Sequence, residues 1–167
     1  TGVVTIGGSS SSPEFDISAT TGETIGALDF RSGDVTQGGQ TLTIASDNGT
    51  NAIIMRNTTL SGPIALASSS GGAIRFNDAN NGTALISGSL DLGTIVRNFN
   101  IDNGSASTDM RITGVISGTG GISKSGQGLL ELNGSASNTF TGNTTVANGV
   151  LALNMSSGNA FASSIVN

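Results

Sequence analysis

The sequence contains no histidine, cysteine, tryptophan or tyrosine. Without histidine and cysteine, neither a Ser-His-Asp triad nor a Cys-His pair can form, and the usual ligands for zinc and similar metals are missing. We therefore predict a protein that is not an enzyme, with no catalytic residues, no metal site and no cofactor.

Charged residues are also scarce, at 10% of the 167 positions, and the formal net charge is −5. The six lysines and arginines are scattered singly, whereas binding to phosphates needs a stripe of basic side chains. We expect no nucleic-acid partner.

Long apolar runs are absent as well. No run approaches the roughly 20 residues that a membrane-spanning helix needs, and the chain begins without the charged and apolar regions of a signal peptide. We predict no direct membrane insertion, and we expect any export signal to have been removed or to lie outside this sequence.

The residues that are abundant are glycine, with 26 copies, and the small polar types. Because 35% of the residues are hydrophobic and charge is low, the composition differs from that of disordered chains, and the glycines are expected to form tight turns. The length fits one domain over 1–167, either an excerpt of a longer repetitive chain or a unit that stacks on copies of itself.

Apolar and polar residues alternate over a few positions and then stop at Gly, Asn or Ser, which is a strand and turn pattern. The pattern therefore predicts an all-β protein that is a sandwich, a barrel or a β-solenoid. The candidate strands are 3–6, 25–30, 41–45, 52–55, 64–67, 73–76, 84–86, 89–92, 95–101, 110–112, 129–132, 144–146 and 150–153.

Pairs of apolar residues separated by one position recur at intervals of roughly 20 to 26 residues, which is typical of a solenoid with one coil per repeat. We predict a single-stranded parallel β-helix of roughly six to eight coils, in which these pairs point inward as one core ladder. The alternative is that they are ordinary core pairs of a β-sandwich. The ladder comprises Leu42, Ile44, Ile64, Leu66, Leu90, Leu92, Met110, Ile112, Leu130, Leu132, Leu151 and Leu153.

The residue between the two members of each pair is expected to face outward, because side chains alternate along a strand. Three of these residues, Asp91, Arg111 and Glu131, are charged and alternate in sign. They form a predicted outer charge ladder that selects the register between coils, or they are three unrelated surface charges.

The clearest repeat lies at 114–154. It contains a Lys-Ser-Gly-x-Gly turn at 124–128, an apolar strand at 129–132, an Asn-x-Phe-Thr-Gly corner at 138–142, a Thr-Thr-Val strand at 144–146 and a Gly-Val-Leu at 149–151. Over residues 121–153 the sequence resembles the autotransporter-associated β-strand repeat of bacterial autotransporter passengers. The resemblance implies a right-handed β-helix that is exported to the cell surface, although no translocator barrel follows it in this sequence.

Parallel β-helices also include polysaccharide hydrolases and lyases, in which two nearby carboxylates can act as acid and base. No pair is accompanied by clustered basic or aromatic residues. The pairs are Glu14 and Asp16, Asp29 and Asp34, and Asp102 and Asp109.

Two further kinds of site, for calcium and for ice, are poorly supported by the sequence. The loop around Asp78 is rich in oxygen ligands, but its Asn and Gly residues fit a turn better than a calcium site. An ice-binding array would need Thr41 and Thr43 to be repeated in the following coils, which they are not.

We therefore predict a structural and adhesive segment of a bacterial cell-surface or secreted protein, acting as a stiff rod or fibre unit. End-to-end self-association into fibres is expected to accompany this role. The alternative function is a module that binds surface glycans or a host protein, and the minor alternatives are a polysaccharide-degrading enzyme and an ice-binding protein.

Overall fold

The computed structural model describes residues 2–7, 14–77, 82–162 and 165–166. These residues form twenty strands, and every strand pairing is parallel. The chain passes repeatedly from a first face to a second and a third before it returns to the first. The prediction of a parallel β-helix is therefore confirmed, with about six turns. The right-handed sense stays a prediction.

The first face is one sheet of eight strands. Along this face one coil takes between 21 residues, as from Ile53 to Ile74, and 25 residues, as from Ile74 to Phe99. The strands are β1 (Val3–Ile6), β4 (Ala27–Phe30), β7 (Asn51–Met55), β10 (Ala73–Phe76), β13 (Arg97–Ile101), β16 (Ile122–Ser125), β18 (Thr144–Val146) and β20 (Ile165–Val166).

The second face begins with a pair of strands, β2 (Glu14–Asp16) and β5 (Asp34–Thr36). It continues as a five-stranded sheet of β8 (Thr59–Leu60), β11 (Ala84–Ile86), β14 (Met110–Ile112), β17 (Leu129–Leu132) and β19 (Val150–Leu153). The third face is another five-stranded sheet, made of β3 (Glu23–Ile25), β6 (Leu42–Ile44), β9 (Ile64–Leu66), β12 (Leu90–Asp91) and β15 (Ile116–Ser117).

The core is a set of aliphatic columns that run parallel to the helix axis. On the third face, Leu42, Ile64, Leu90 and Ile116 follow one another in register, and all are at most 2% exposed. Each strand turns the same side-chain position inward at every coil, so the columns bury apolar area that contributes about 25 cal/mol per Å². Aromatic residues supplement the columns: Phe30, Phe76 and Phe99 are fully buried on the first face.

Glycine is required where coils come into close contact at the corner between the second and third faces. A Cβ on Gly114 would overlap the carbonyl oxygen of Gly88, and a Cβ on Gly88 would overlap that of Gly62. The three glycines are stacked one per coil. Because they have no Cβ, their backbones lie closer together than any other residue would allow.

The prediction of a single core ladder is wrong, because its members divide between two faces. Leu42, Ile44, Ile64, Leu66, Leu90 and Leu92 belong to the third face, whereas Met110, Ile112, Leu130, Leu132, Leu151 and Leu153 belong to the second. The neighbour of Leu90 in the next coil is Ile116, and Met110 is preceded by Ala84. Strands on both faces share the same three-residue apolar pattern, so the spacing from Leu90 to Met110 resembles a coil although it crosses from one face to another.

The twelve predicted ladder residues also differ in burial. The ten residues from Leu42 to Leu132 are at most 2% exposed. The other two, Leu151 and Leu153 of the last described coil, are less buried. Leu153 is 46% exposed because no described strand pairs with the outer edge of β19.

Several strands were missed by the sequence prediction, among them β2, β5, β15 and β16. Each is short or mixes charged and polar residues with one or two apolar ones, so alternation is weak within the strand. Its position is fixed instead by a neighbouring coil, as when Phe15 of β2 lies beside Val35 of β5. Across the described residues the structure contains no helix long and apolar enough to span a bilayer.

Candidate functional site: polar groups at the coil corners

The carboxylates considered as catalytic pairs are bound instead to nearby donors. Asp29 forms an ion pair with Arg31, and Asp102 forms one with Arg75. Both ion pairs lie at the outer surface of the first face. In each, the partner of the carboxylate is a guanidinium and not a second acid.

The other acids accept hydrogen bonds from close neighbours. Asp109 is buried and accepts one bond from the Gly104 N–H and one from the Leu129 N–H, each at 2.7 Å. Asp16 accepts a bond from the Ser18 N–H, and this bond lowers the pKa of Asp16. The Glu14 carboxylate accepts a bond from the Thr36 hydroxyl.

Glu14, Asp16, Asp29, Asp102 and Asp109 thus each have a hydrogen-bond or ion-pair partner other than the acid with which the sequence pairs them. The side chain of Asp34 and the whole of Asp78 lie outside the described residues. Within the described ranges, no group of three or more acids, histidines or cysteines is close enough to hold a metal ion.

Lys124 is fully buried at the corner where β16 leads to β17. Its Nζ donates to the carbonyl oxygens of Ser125 at 2.7 Å, Gly126 at 2.9 Å and Asn148 at 3.1 Å, so all three donors of the ammonium are used. Burial lowers the pKa of Lys124, while the charge of Asp109 opposes that shift. Because Asn148 lies one coil further on, Lys124 ties two successive coils together.

Arg97 has the corresponding role at the corner between the third and first faces. It is 1% exposed, and its Nε donates to the Leu92 carbonyl at 2.8 Å. Its Nη2 donates to Leu66 at 2.6 Å and to Ser68 at 2.9 Å, both in the preceding coil. Burial lowers the pKa of Arg97, and the Asp91 carboxylate opposes the shift.

Asn138 joins three coils through one side chain. Its Oδ1 accepts a bond from the Ile116 N–H of the preceding coil at 2.8 Å, and its Nδ2 donates to the Ala160 carbonyl of the following coil at 2.9 Å. The side chain is buried, so both bonds replace contacts with water. Phe140, two residues on, fills the interior and meets Phe161 edge to face with ring centroids 6.1 Å apart.

Glu131 is the centre of a network on the outer side of the second face. Its carboxylate accepts bonds from Arg111 Nε at 2.5 Å, Asn154 Nδ2 at 2.9 Å and Asn133 Nδ2 at 3.1 Å. The Asn154 bond is the main cause that lowers the pKa of Glu131, with smaller contributions from Asn133 and Arg111. The side chain is only 9% exposed, so this predicted outward residue is covered by its partners.

The prediction that Asp91, Arg111 and Glu131 form one outer charge ladder is wrong. Arg111 and Glu131 are register partners on the second face and form an ion pair. Asp91 lies on the third face between Ala65 and Ser117, and its Oδ1 accepts a bond from the Gly93 N–H. The reason is the same change of face that divides the predicted core ladder.

The buried polar groups Arg97, Asp109 and Asn138 were not singled out by the sequence as contacts between coils. Gln37 was missed too: it accepts a bond from the Gly62 N–H at 3.0 Å and donates to the Pro63 carbonyl at 2.8 Å, one coil away. The available signal was strand alternation, which places Arg97 on the same side of β13 as Phe99 and therefore inside.

These contacts fasten neighbouring coils and leave few reactive groups exposed. Bonds to charged groups contribute about 1.5 to 3 kcal/mol each, but burying the charge offsets much of that gain. Lys124 and Arg97 therefore act mainly on register, since a shifted coil would leave a buried charge without its carbonyl partners. Comparison of the chain with protein-family models, with curated proteins and with solved structures found no match.

Replacing Asn138 by leucine tests whether its hydrogen bonds, and not only its volume, hold the coils. We expect Asn138→Leu to lower the free energy of unfolding by about 1 to 3 kcal/mol, because the Ile116 N–H and the Ala160 carbonyl lose their partners. The matched control is Asn159→Leu, at an exposed position one coil further on, with an expected effect within about 0.5 kcal/mol. Urea unfolding measures both, and equal losses would contradict the role of Asn138.

The pKa of Glu131 predicts a specific acid sensitivity. Since this pKa is below its ordinary value of 4.5 in the folded chain, the carboxylate stabilises the fold above pH 4.5, and this contribution is lost as the pH falls through the folded value. We expect Glu131→Gln to show a shallower acid loss of unfolding free energy than the parent chain.

Arg111→Gln provides the comparison, because it removes the ion pair and leaves the Asn154 and Asn133 bonds in place. It should retain most of the acid dependence. Urea titrations at neutral pH and at several values below 4.5 measure the slopes, and an unchanged slope in Glu131→Gln would refute the assignment.

Proposed function

We propose that this chain is a stiff rod segment of a bacterial cell-surface or secreted protein, built like an autotransporter passenger. The observation that carries the proposal is the continuity of contacts between coils. Backbone ladders on three faces are reinforced by side chains such as Asn138 and Lys124 that bond from one coil to the next. A β-solenoid with these contacts is compatible with a structural or adhesive rod.

The positions of the repeat motif support the resemblance to autotransporter passengers. Lys124 of the Lys-Ser-Gly-x-Gly turn binds carbonyls at a corner, while Asn138 and Phe140 of the next corner bridge coils and fill the core. These three motif residues thus have a structural reason to recur in a β-helix of this shape. Export to the cell surface is part of the same proposal.

End-to-end association is the second part of the proposed function. The last described coil leaves inward apolar positions uncovered: Leu153 is 46% exposed, and Leu151 is only partly buried. Their predecessors in the same columns, Leu130 and Leu132, are at most 1% exposed. Within the described residues no strand pairs with the outer edge of β19, and such an edge is a template for a further strand. We propose that a coil of a second copy occupies this end.

The substitution Leu153→Glu tests the end contact. It places a charge in the apolar end layer, so we expect concentration-dependent fibres and sedimenting oligomers of the parent chain to be lost. Val96→Glu is the control, because Val96 is 55% exposed but lies on the side of the coil stack. It should assemble like the parent chain.

Electron microscopy and sedimentation velocity over a range of concentrations give the readout, and circular dichroism establishes that both variants are folded. Monomers of the parent chain at every concentration would refute end-to-end association. Equal assembly of the two variants would show that the contact between copies does not involve the β19 end.

A second candidate function is a binding module for glycans. It is favoured by one observation, an uncharged polar surface on the outside of the first face, formed by strands β13, β16 and β18.

A further inference from the structure

The outer side of strands β13, β16 and β18 forms a surface that we call the polar wall, comprising Asn98, Asn100, Ser123, Ser125 and Thr145. Asn98, Ser123 and Thr145 follow one another in register as one column, and Asn100 and Ser125 form the neighbouring column. All five side chains are partly exposed. Neighbouring members of a column are about 4.8 Å apart, the spacing of paired strands.

Most hydrogen-bonding capacity on the polar wall is unused. The Ser125 hydroxyl donates to Asn98 Oδ1 at 2.7 Å. In the part of the chain that the structure describes, the side chains of Asn100, Ser123 and Thr145 have no protein partner. Amides and hydroxyls both donate and accept, so the wall offers both kinds of group at regular intervals.

The chemistry of the wall excludes several partners. It has no charge of its own, and the nearest charged residue in its columns, Arg75, is already paired with Asp102. Anionic polymers need unpaired cations, and protein interfaces are centred on aromatic and apolar side chains. The backbone of β13 and β16 is paired on both sides, so no peptide strand can add to it.

We propose that the polar wall binds a neutral, extended polysaccharide, laid along the axis of the β-helix. The hydroxyl groups of such a chain are donors and acceptors of the same type as the wall, and the coil spacing is close to the length of one sugar unit in an extended β-linked glycan. Each contact is weak, so binding depends on several coils engaging one chain at once. The inference rests on the proposed adhesive rod and names the partner of its first face.

The test uses the full chain, labelled with ¹⁵N, and three soluble probes: cellohexaose, chitohexaose and hexagalacturonate. We expect one or both neutral hexasaccharides to shift the amide and side-chain NH₂ signals of Asn98 and Asn100, with fast exchange and saturable titration. Hexagalacturonate should leave these signals unchanged, because the wall has no cation to bind its carboxylates.

Ser123→Arg places a large side chain in the middle of the wall and should weaken binding at least tenfold. Ser117→Arg is the matched control, since Ser117 is a partly exposed serine that faces outward on the third face beside Asp91. Its affinity should stay within twofold of the parent chain, and circular dichroism confirms that both variants fold.

Three results would overturn the proposal: no shifts at saturating neutral glycan, shifts that map to another face, or equal loss in the two variants. Preferential binding of hexagalacturonate would also overturn it. Signals of the wall that broaden with protein concentration alone would assign the surface to a second copy. Failure of the rod itself is distinguished by sedimentation, because Leu153→Glu should abolish assembly and leave the glycan shifts unchanged.

Discussion

Successive coils of this chain are joined by parallel backbone ladders, and the register of those ladders determines where every side chain lies. A shift of one residue would turn the aliphatic columns outward and the polar residues inward. In a chain with few charges and few aromatic residues, burial of small aliphatic groups provides most of the driving force, and it is shared by many similar strands. Registers that differ by two residues keep the same strand positions inward, so such a core distinguishes them poorly and other groups must select one.

The buried polar side chains make that selection. Lys124 and Arg97 each need carbonyl groups from two coils, and Asn138 needs partners from a preceding and a following coil. An unpaired charge or amide in the interior costs more than the bond to it contributes, so a register that removed these carbonyl and amide partners would be less stable. The same contacts restrict movement of one coil against the next, which is the mechanical property that a rod requires.

Much of the fold could be predicted from the sequence, because strand alternation and coil spacing are local signals. The assignment of strands to faces could not. Met110 and Leu90 belong to similar apolar triplets 20 residues apart, and only the pairing of their strands with those of neighbouring coils shows that they lie on different faces. The predicted neighbourhood of Asp91 and Arg111 is wrong for the same reason. Contacts such as the hydrogen bond between Gln37 and Gly62 depend on two corners lying next to each other. The periodicity of the sequence does not predict that proximity.

The register between coils is tested most directly with engineered disulfides, since the chain has no cysteine of its own. Asp91 and Ser117 are register partners, at a spacing of about 4.8 Å that a disulfide can bridge. Asp91 and Arg111 lie on different faces. The account predicts that Asp91→Cys with Ser117→Cys oxidises to an intramolecular disulfide, while Asp91→Cys with Arg111→Cys keeps two free thiols. The reverse result would contradict the described register and the arrangement of faces that depends on it.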